Sequence, residues 1–133
     1  MIVILCLDDR NGMMFNNCRQ SRDRAVAADI IRLVDGEKLF MNEYSSGFFS
    51  EKTANMLIDE DFLSRGDKGF YFVENNSLKN FAKKINKVIV YRWNRVYPSD
   101  LKLELPINQW KKTIDAEFAG NSHDKITREV YTR

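Results

Sequence analysis

Ile2-Val3-Ile4-Leu5-Cys6-Leu7 is an unbroken apolar run, and it stops abruptly in Asp8-Asp9-Arg10-Asn11-Gly12. Six apolar residues rich in β-branched types suit a strand covered on both faces, because a strand with one wet face would alternate. The run is too short for a membrane span or a secretory signal. Asn11-Gly12 favours positive φ and predicts a turn, after which Met13–Phe15 is a short apolar stretch.

Two further runs have the same character. Phe70–Val73 (FYFV) predicts a strand, and Lys87–Trp93 (KVIVYRW) another. Between them Ser77 is placed to cap a helix over Leu78–Ile85, with Leu78, Phe81, Ala82 and Ile85 on one face. Strand, helix and strand in quick succession predict a parallel pair. An earlier helix is expected to start at Ser21 as N-cap, with Asp23 in its first turn. Val26, Ile30, Leu33 and Val34 recur at helical spacing, and Gly36 ends it. Lys38–Met41 and Asn55–Ile58 read as short strands, and Glu43–Phe49 as a brief helix or loop.

The last third changes period. Trp110, Ile114, Ala116 and Phe118 alternate with Thr113, Asp115 and Glu117. Ile126, Arg128 and Val130 alternate with Thr127, Glu129 and Tyr131, and Gly120-Asn121-Ser122 separates the two runs. That pattern predicts an antiparallel hairpin with one buried face. The whole is read as one α/β domain over residues 1–133. A single mixed central sheet of about seven to eight strands is expected, flanked by two main helices and closed by the hairpin.

Composition fits that reading. Of 133 residues, 44% are hydrophobic and 30% charged, near globular averages, so disorder is excluded. Nine Phe, five Tyr and two Trp supply a substantial core. With 21 basic and 19 acidic residues the net charge is +2, too balanced for the concentrated basic face of a nucleic-acid binder. Arg92, Trp93, Arg95 and Tyr97 interleave cations with aromatics. They read either as a platform for single strands or as a strand end with one buried face. Cys6 reads as a small buried hydrophobe, and two cysteines do not make a disulfide scaffold. The expected location is cytoplasmic, in a bacterial cell, with no membrane association.

Few residues could carry chemistry. His123 is the only histidine, so acid–base work near neutral pH falls on it first; the alternative is a hairpin-turn residue with a local hydrogen bond. Arg19, Gln20, Ser21 and Asp23 form a polar cluster that reads either as a ligand site or as a helix cap beside a solvated arginine. Asp8, Asp9 and Asn11 offer too few oxygens for a cation, so no metal site is assigned. Cys18 would be a nucleophile only if His123 came near it. No Walker, CxxC, HExxH or nucleophile-elbow motif is present.

The order of elements resembles the dihydrofolate reductase fold over nearly the whole chain. Asp9-Arg10-Asn11-Gly12-Met13 is similar to that family's first loop, and Asp23 stands where an acid opens its first helix. Trp110, Ile114–Phe118 and Asn121-Ser122-His123 resemble its closing hairpin. The resemblance implies that Asp23 holds a polar substrate ring, walled by Phe15 and Tyr44. The implied pocket lies between the Gly12–Phe15 loop, the helix near Asp23 and the strand Phe70–Val73. A buried carboxyl there is expected to have a raised pKa.

Three family features are replaced, one of them the Trp and Leu-Pro step before the acid, where Arg19-Gln20-Ser21 stands instead. The Gly-Arg-x-Thr helix start that holds dinucleotide phosphates reads Asn42-Glu43-Tyr44-Ser45, and the Gly-Gly pair after Phe70–Val73 reads Glu74-Asn75-Asn76. Glycines let the backbone approach phosphate, and Glu74 would repel it. The expectation is a reductase-like small-molecule-binding domain that does not use NADPH in the usual way, with its cofactor unassigned. The alternative is a non-enzymatic interaction module, a homodimer included, using Phe48, Phe49 or Phe62 as an apolar patch. The sequence also looks like a group of short bacterial proteins with a Gly-Met-Met-Phe-Asn start, some labelled ribonuclease Z. One histidine is too few for that two-metal nuclease.

Overall fold

A computed structural model describes all of residues 1–133. β1 (Ile2–Leu7) lies in the middle of a seven-stranded sheet, flanked on either side by parallel partners β6 (Phe70–Phe72) and β7 (Lys87–Arg92). Beyond β6 come β4 (Leu39–Met41) and β5 (Met56–Ile58), again parallel. Beyond β7, β10 (Ile126–Thr132) runs antiparallel, and β9 (Lys111–Phe118) pairs antiparallel with β10 at the far edge. The order is therefore β5-β4-β6-β1-β7-β10-β9. A second, three-stranded sheet was not anticipated. It joins β2 (Gly12–Phe15), β3 (Cys18–Arg19) and β8 (Leu101–Lys102), so the segment after the Asn11-Gly12 turn pairs outside the main sheet.

The apolar run of β1 has the environment its composition demands. Val3, Leu5 and Leu7 enter one core with Phe40, Tyr71, Val88 and Val90. Ile4 enters the other, with Ile30, Phe72, Ile89 and Trp93. Each fully buried aliphatic side chain contributes about 1.5–3 kcal/mol relative to exposure, so both faces of β1 are held strongly. The second core is roofed by α1 (Arg24–Val34), through Val26, Ala27, Ile30 and Val34.

Several expectations need correcting. Ser21 does not cap α1. Asp23 does, its carboxylate accepting from the Ala25 amide, while the Ser21 hydroxyl turns to His123. The helix ends on Asp35 in the left-handed region, followed by Gly36 at φ 80°. The helix expected over Leu78–Ile85 is a 3-10 turn, Lys79–Lys84. At its start the Lys79 amide donates to the Ser77 hydroxyl at 3.3 Å, and that hydroxyl also donates to Glu104. Three residues after that turn β7 begins, leaving little chain for α-helical turns. The sheet therefore has one long helix, α1, and the four-residue α2 (Glu43–Ser46), instead of two main helices.

Phe48, Phe49 and Phe62 form no surface patch; all three are buried. Phe48 and Phe49 close an aromatic cluster on Phe72, with ring centroids 5.0 and 5.3 Å away. The hairpin has no single buried face either. Ile114 on the edge strand β9 is 58% exposed, whereas inner β10 buries Thr127, Glu129 and Tyr131 as well as Ile126. Arg92 explains the buried acid: its Nε bonds Glu129 at 2.6 Å and a terminal nitrogen bonds the Tyr131 hydroxyl. Arg92 and the buried Trp93 are thus internal, whereas Arg95 beyond the strand end is exposed and Tyr97 half-buried. No helix is long and apolar enough to cross a membrane.

Candidate functional site

The carboxyl-terminal ends of parallel strands are where open α/β sheets form their crevice, because the loops diverge there. In this chain that edge carries Asn42 after β4, Glu74 after β6, Asp8 after β1 and Arg92 with Trp93 at β7. Asn42, Glu74 and Asp8 are buried polar residues, so each needs a partner.

Arg19 supplies one. From β3 it makes a two-pronged pair with Glu74, Nε to Oε2 at 2.9 Å and a terminal nitrogen to Oε1 at 3.1 Å. The same side chain donates to the Tyr44 carbonyl at 3.0 Å and lies over the Tyr44 ring, 4.4 Å from its centroid. The Tyr44 hydroxyl accepts from the Arg19 amide in return. Burial lowers the Arg19 pKa, but the Glu74 carboxylate more than offsets it and raises the value overall. Asn42 bridges the same gap, its amide nitrogen donating to Asn75 and Asn76 at 2.8 and 3.1 Å. The two segments where the resemblance would place phosphates are thus bonded to each other. Cys6 faces this cluster. Burial pushes its thiol well above the ordinary value, Glu74 and Asp23 add to the rise, and Arg19 opposes it.

A second cluster joins α1 to the hairpin turn. His123 Nδ1 is 2.9 Å from Asp23 Oδ2, and both side chains are nearly inaccessible. The Asp23 carboxylate also accepts the amides of Asn121, Ser122 and Ala25. Burial pushes its carboxyl up, but the Asn121 amide, the His123 ring and the Ser122 and Ala25 amides outweigh burial. The result lies far below the usual carboxylate range, which corrects the expected raised value. His123 Nε2 lies 3.0 Å from the Ser21 hydroxyl and 3.1 Å from that of Tyr97. Its ring stacks on Trp93 with centroids 4.6 Å apart.

The structure therefore brings Asp23, His123 and Ser21 into direct contact and sets Arg19 against Tyr44. Gln20 belongs to neither cluster: its amide nitrogen bonds Asp8 Oδ2 and the Pro98 carbonyl, both at 3.2 Å. Its Oε1 is buried and without a partner. Phe15 is 40% exposed at the end of β2. Cys18 is exposed and has no bond to His123. The Arg19–Glu74 pair ties β3 to the end of β6, and two sizeable hollows lie elsewhere. One, of ≈ 680 Å³, runs between α1 and β9; the other, of ≈ 940 Å³, surrounds Met1, Gly69 and Lys84 at the opposite end of the sheet.

Sequence reasoning saw Glu74 only as a lost glycine and missed it as the partner of Arg19. It also missed Trp93 and Tyr97 as the walls of His123. The signal present was a lone acid after an apolar strand, which is buried with a cation more often than bare.

No protein-family model matches the chain, and no curated protein matches it in sequence. Among solved structures it is similar to the dihydrofolate reductase from Enterococcus faecalis complexed with NADP(H) and RAB-propyl. The TM-score is 0.68 at 11% sequence identity, over 99% of this chain and 95% of that one. The likeness establishes a dihydrofolate reductase-like fold for this chain.

Proposed function

We propose that this is a reductase-shaped small-molecule-binding protein that does not seat NADPH in the usual way. Its ligand site is the carboxyl-terminal edge of β4, β6 and β1. The single observation that carries the reading is the Arg19 guanidinium, paired two-pronged with buried Glu74 and stacked on Tyr44 in the sheet's crevice. A planar cation on a carboxylate occupies the place a ligand would take, and fork-on-carboxylate geometry is what an amidine-bearing ring would reproduce. Both Asp23 oxygens accept protein donors, so the carboxylate available to such a ring is Glu74, whose partner is one arginine side chain.

Calorimetry with NADPH and with 2,4-diaminopyrimidine tests this. The expected result is no NADPH binding at millimolar concentration. Diaminopyrimidine should bind Arg19→Ala at least about tenfold more tightly than the parent chain, since the internal competitor is gone. Micromolar NADPH binding to the parent chain, or diaminopyrimidine binding equally to both, would refute it.

A further inference from the structure

Ser21 Oγ, His123 Nε2, His123 Nδ1 and Asp23 Oδ2 form a continuous chain of contacts of 3.0 and 2.9 Å, built from segments about a hundred residues apart. Asp23 accepts three main-chain N–H groups besides the ring, and such an acceptor-only carboxylate is ionised. His123 must then donate from Nδ1, which leaves Nε2 as the acceptor facing the Ser21 hydroxyl. That is the arrangement in which a serine is activated: a base in reach of the hydroxyl and a buried acid fixing the base's tautomer.

The supporting shell is rigid. Trp93 stacks on the imidazole at 25° between planes, and the Asp23 carboxylate is pinned to the first turn of α1 and to the hairpin turn. The hydroxyl end is different. Ser21 is half-buried, whereas the Asp23 and His123 side chains are sealed from water. The Arg22 amide, next along the chain, donates to no protein group. Tyr97 places a second hydroxyl 3.1 Å from the same Nε2. Both are donors of the kind that stabilise an oxyanion.

We propose that Ser21, His123 and Asp23 act as nucleophile, base and positioning carboxylate in the hydrolysis of small carboxylic esters. Ser21 Oγ adds to the acyl carbon while its proton passes to His123 Nε2. The bond to the leaving alcohol breaks and His123 returns the proton to that oxygen, leaving an acyl-Ser21. Water, deprotonated by the same nitrogen, then releases the acid and restores the Ser21 hydroxyl. Ester and water become acid and alcohol, with no other reactant. The proposal is independent of the Glu74 site, since it involves neither Arg19 nor Glu74.

Diisopropyl fluorophosphate labelling with peptide mass mapping tests it, beside para-nitrophenyl acetate hydrolysis. The expected result is one phosphoryl adduct, on Ser21. Ser21→Ala should lose both the adduct and the turnover while keeping its circular dichroism. Asp23→Asn should slow labelling at least about 100-fold, as loss of the positioning acid does in such triads. No adduct on Ser21 of the folded parent chain at millimolar reagent, an adduct only at another residue, or ester turnover unchanged in Ser21→Ala would overturn it. The first of these outcomes requires no variant to fold.

Discussion

Replacing Asp23 by alanine removes more than one hydrogen bond, and the cost can be assembled from its partners. The carboxylate caps α1 through the Ala25 amide, a contact worth about 1 kcal/mol. It also satisfies the Asn121 and Ser122 amides and His123 Nδ1, at 2.9 Å each. Left without their acceptor, these three donors cost about 1 kcal/mol apiece at the low end. The expected loss is about 4 kcal/mol, a large part of the stability of about 5–15 kcal/mol of an ordinary domain. At about 4 °C per kcal/mol for a chain of this size, Tm should fall by about 15 °C. Asp23→Asn keeps an acceptor oxygen and should lose about half as much.

Circular dichroism melts as a function of pH separate this account from mere side-chain deletion. The folded carboxyl is more acidic than in the unfolded chain, where its pKa is about 4. In the window at and below that value the unfolded state binds more protons, so stability rises with pH. The Asp23 contribution should be fully present above about pH 5 and fade as pH falls through 4 and below. The gap between parent and Asp23→Ala should therefore be constant from neutral pH to about 5 and narrow in acid. A loss under about 1 kcal/mol at pH 7, or a gap that stays constant in acid, would refute the reasoning.

Other substitutions probe neighbouring features. Arg19→Ala strands buried Glu74 and should cost about 2–3 kcal/mol in urea unfolding. Adding Glu74→Gln should restore part of it, and simple additivity would show that the pair is not coupled. Gly120→Ala would place a Cβ 2.6 Å from Asp23 Oδ2 and 2.8 Å from the His123 carbonyl. A loss of about 2 kcal/mol with shifted His123 and Trp93 resonances is expected, and unchanged spectra would show that the turn yields freely. Tyr91 is buried against Asp29, its hydroxyl donating at 2.6 Å, and burial first and that carboxylate second raise its phenol pKa strongly. The folded chain therefore holds that proton when the unfolded chain has lost its own, so stability should fall as pH rises past about 10. Ultraviolet titration should leave this tyrosine protonated until the chain unfolds.

The fold was legible wherever burial alone decided the residues. Ile2–Leu7, Phe70–Val73 and Lys87–Trp93 had to be covered on both faces, and only a strand between neighbours provides that. At Lys79–Lys84 the apolar spacing holds and Ser77 Oγ accepts the Lys79 amide, but the segment is too short for α-helical turns, and Ser77 has a second partner, Glu104, distant in sequence. The hairpin failed differently: alternation assumes one wet face, but Arg92 brings Glu129 and Tyr131 into the interior. A buried ion network cannot be distinguished from a solvated face by pattern, since both are made of the same residue types.

The same ambiguity governs the candidate site. Asp23 and His123 were recognisable as scarce residue types, yet their meeting depends on the hairpin turn reaching across to the start of α1. Residues 23 and 123 have no local signal for that approach; it follows from β10 lying inside the sheet and β9 outside it. Arg19 and Glu74 are the counterpart. Each alone reads as a surface charge or a missing glycine, and only the crevice at the strand ends makes them one object. Glu74, buried where the resemblance expects a glycine pair, needs a cation, and Arg19 of the same chain supplies it. The proposed ligand site and this ion pair are then one place in the crevice. If that is correct, binding at this edge should depend on Arg19 and Glu74 together, whatever occupies it.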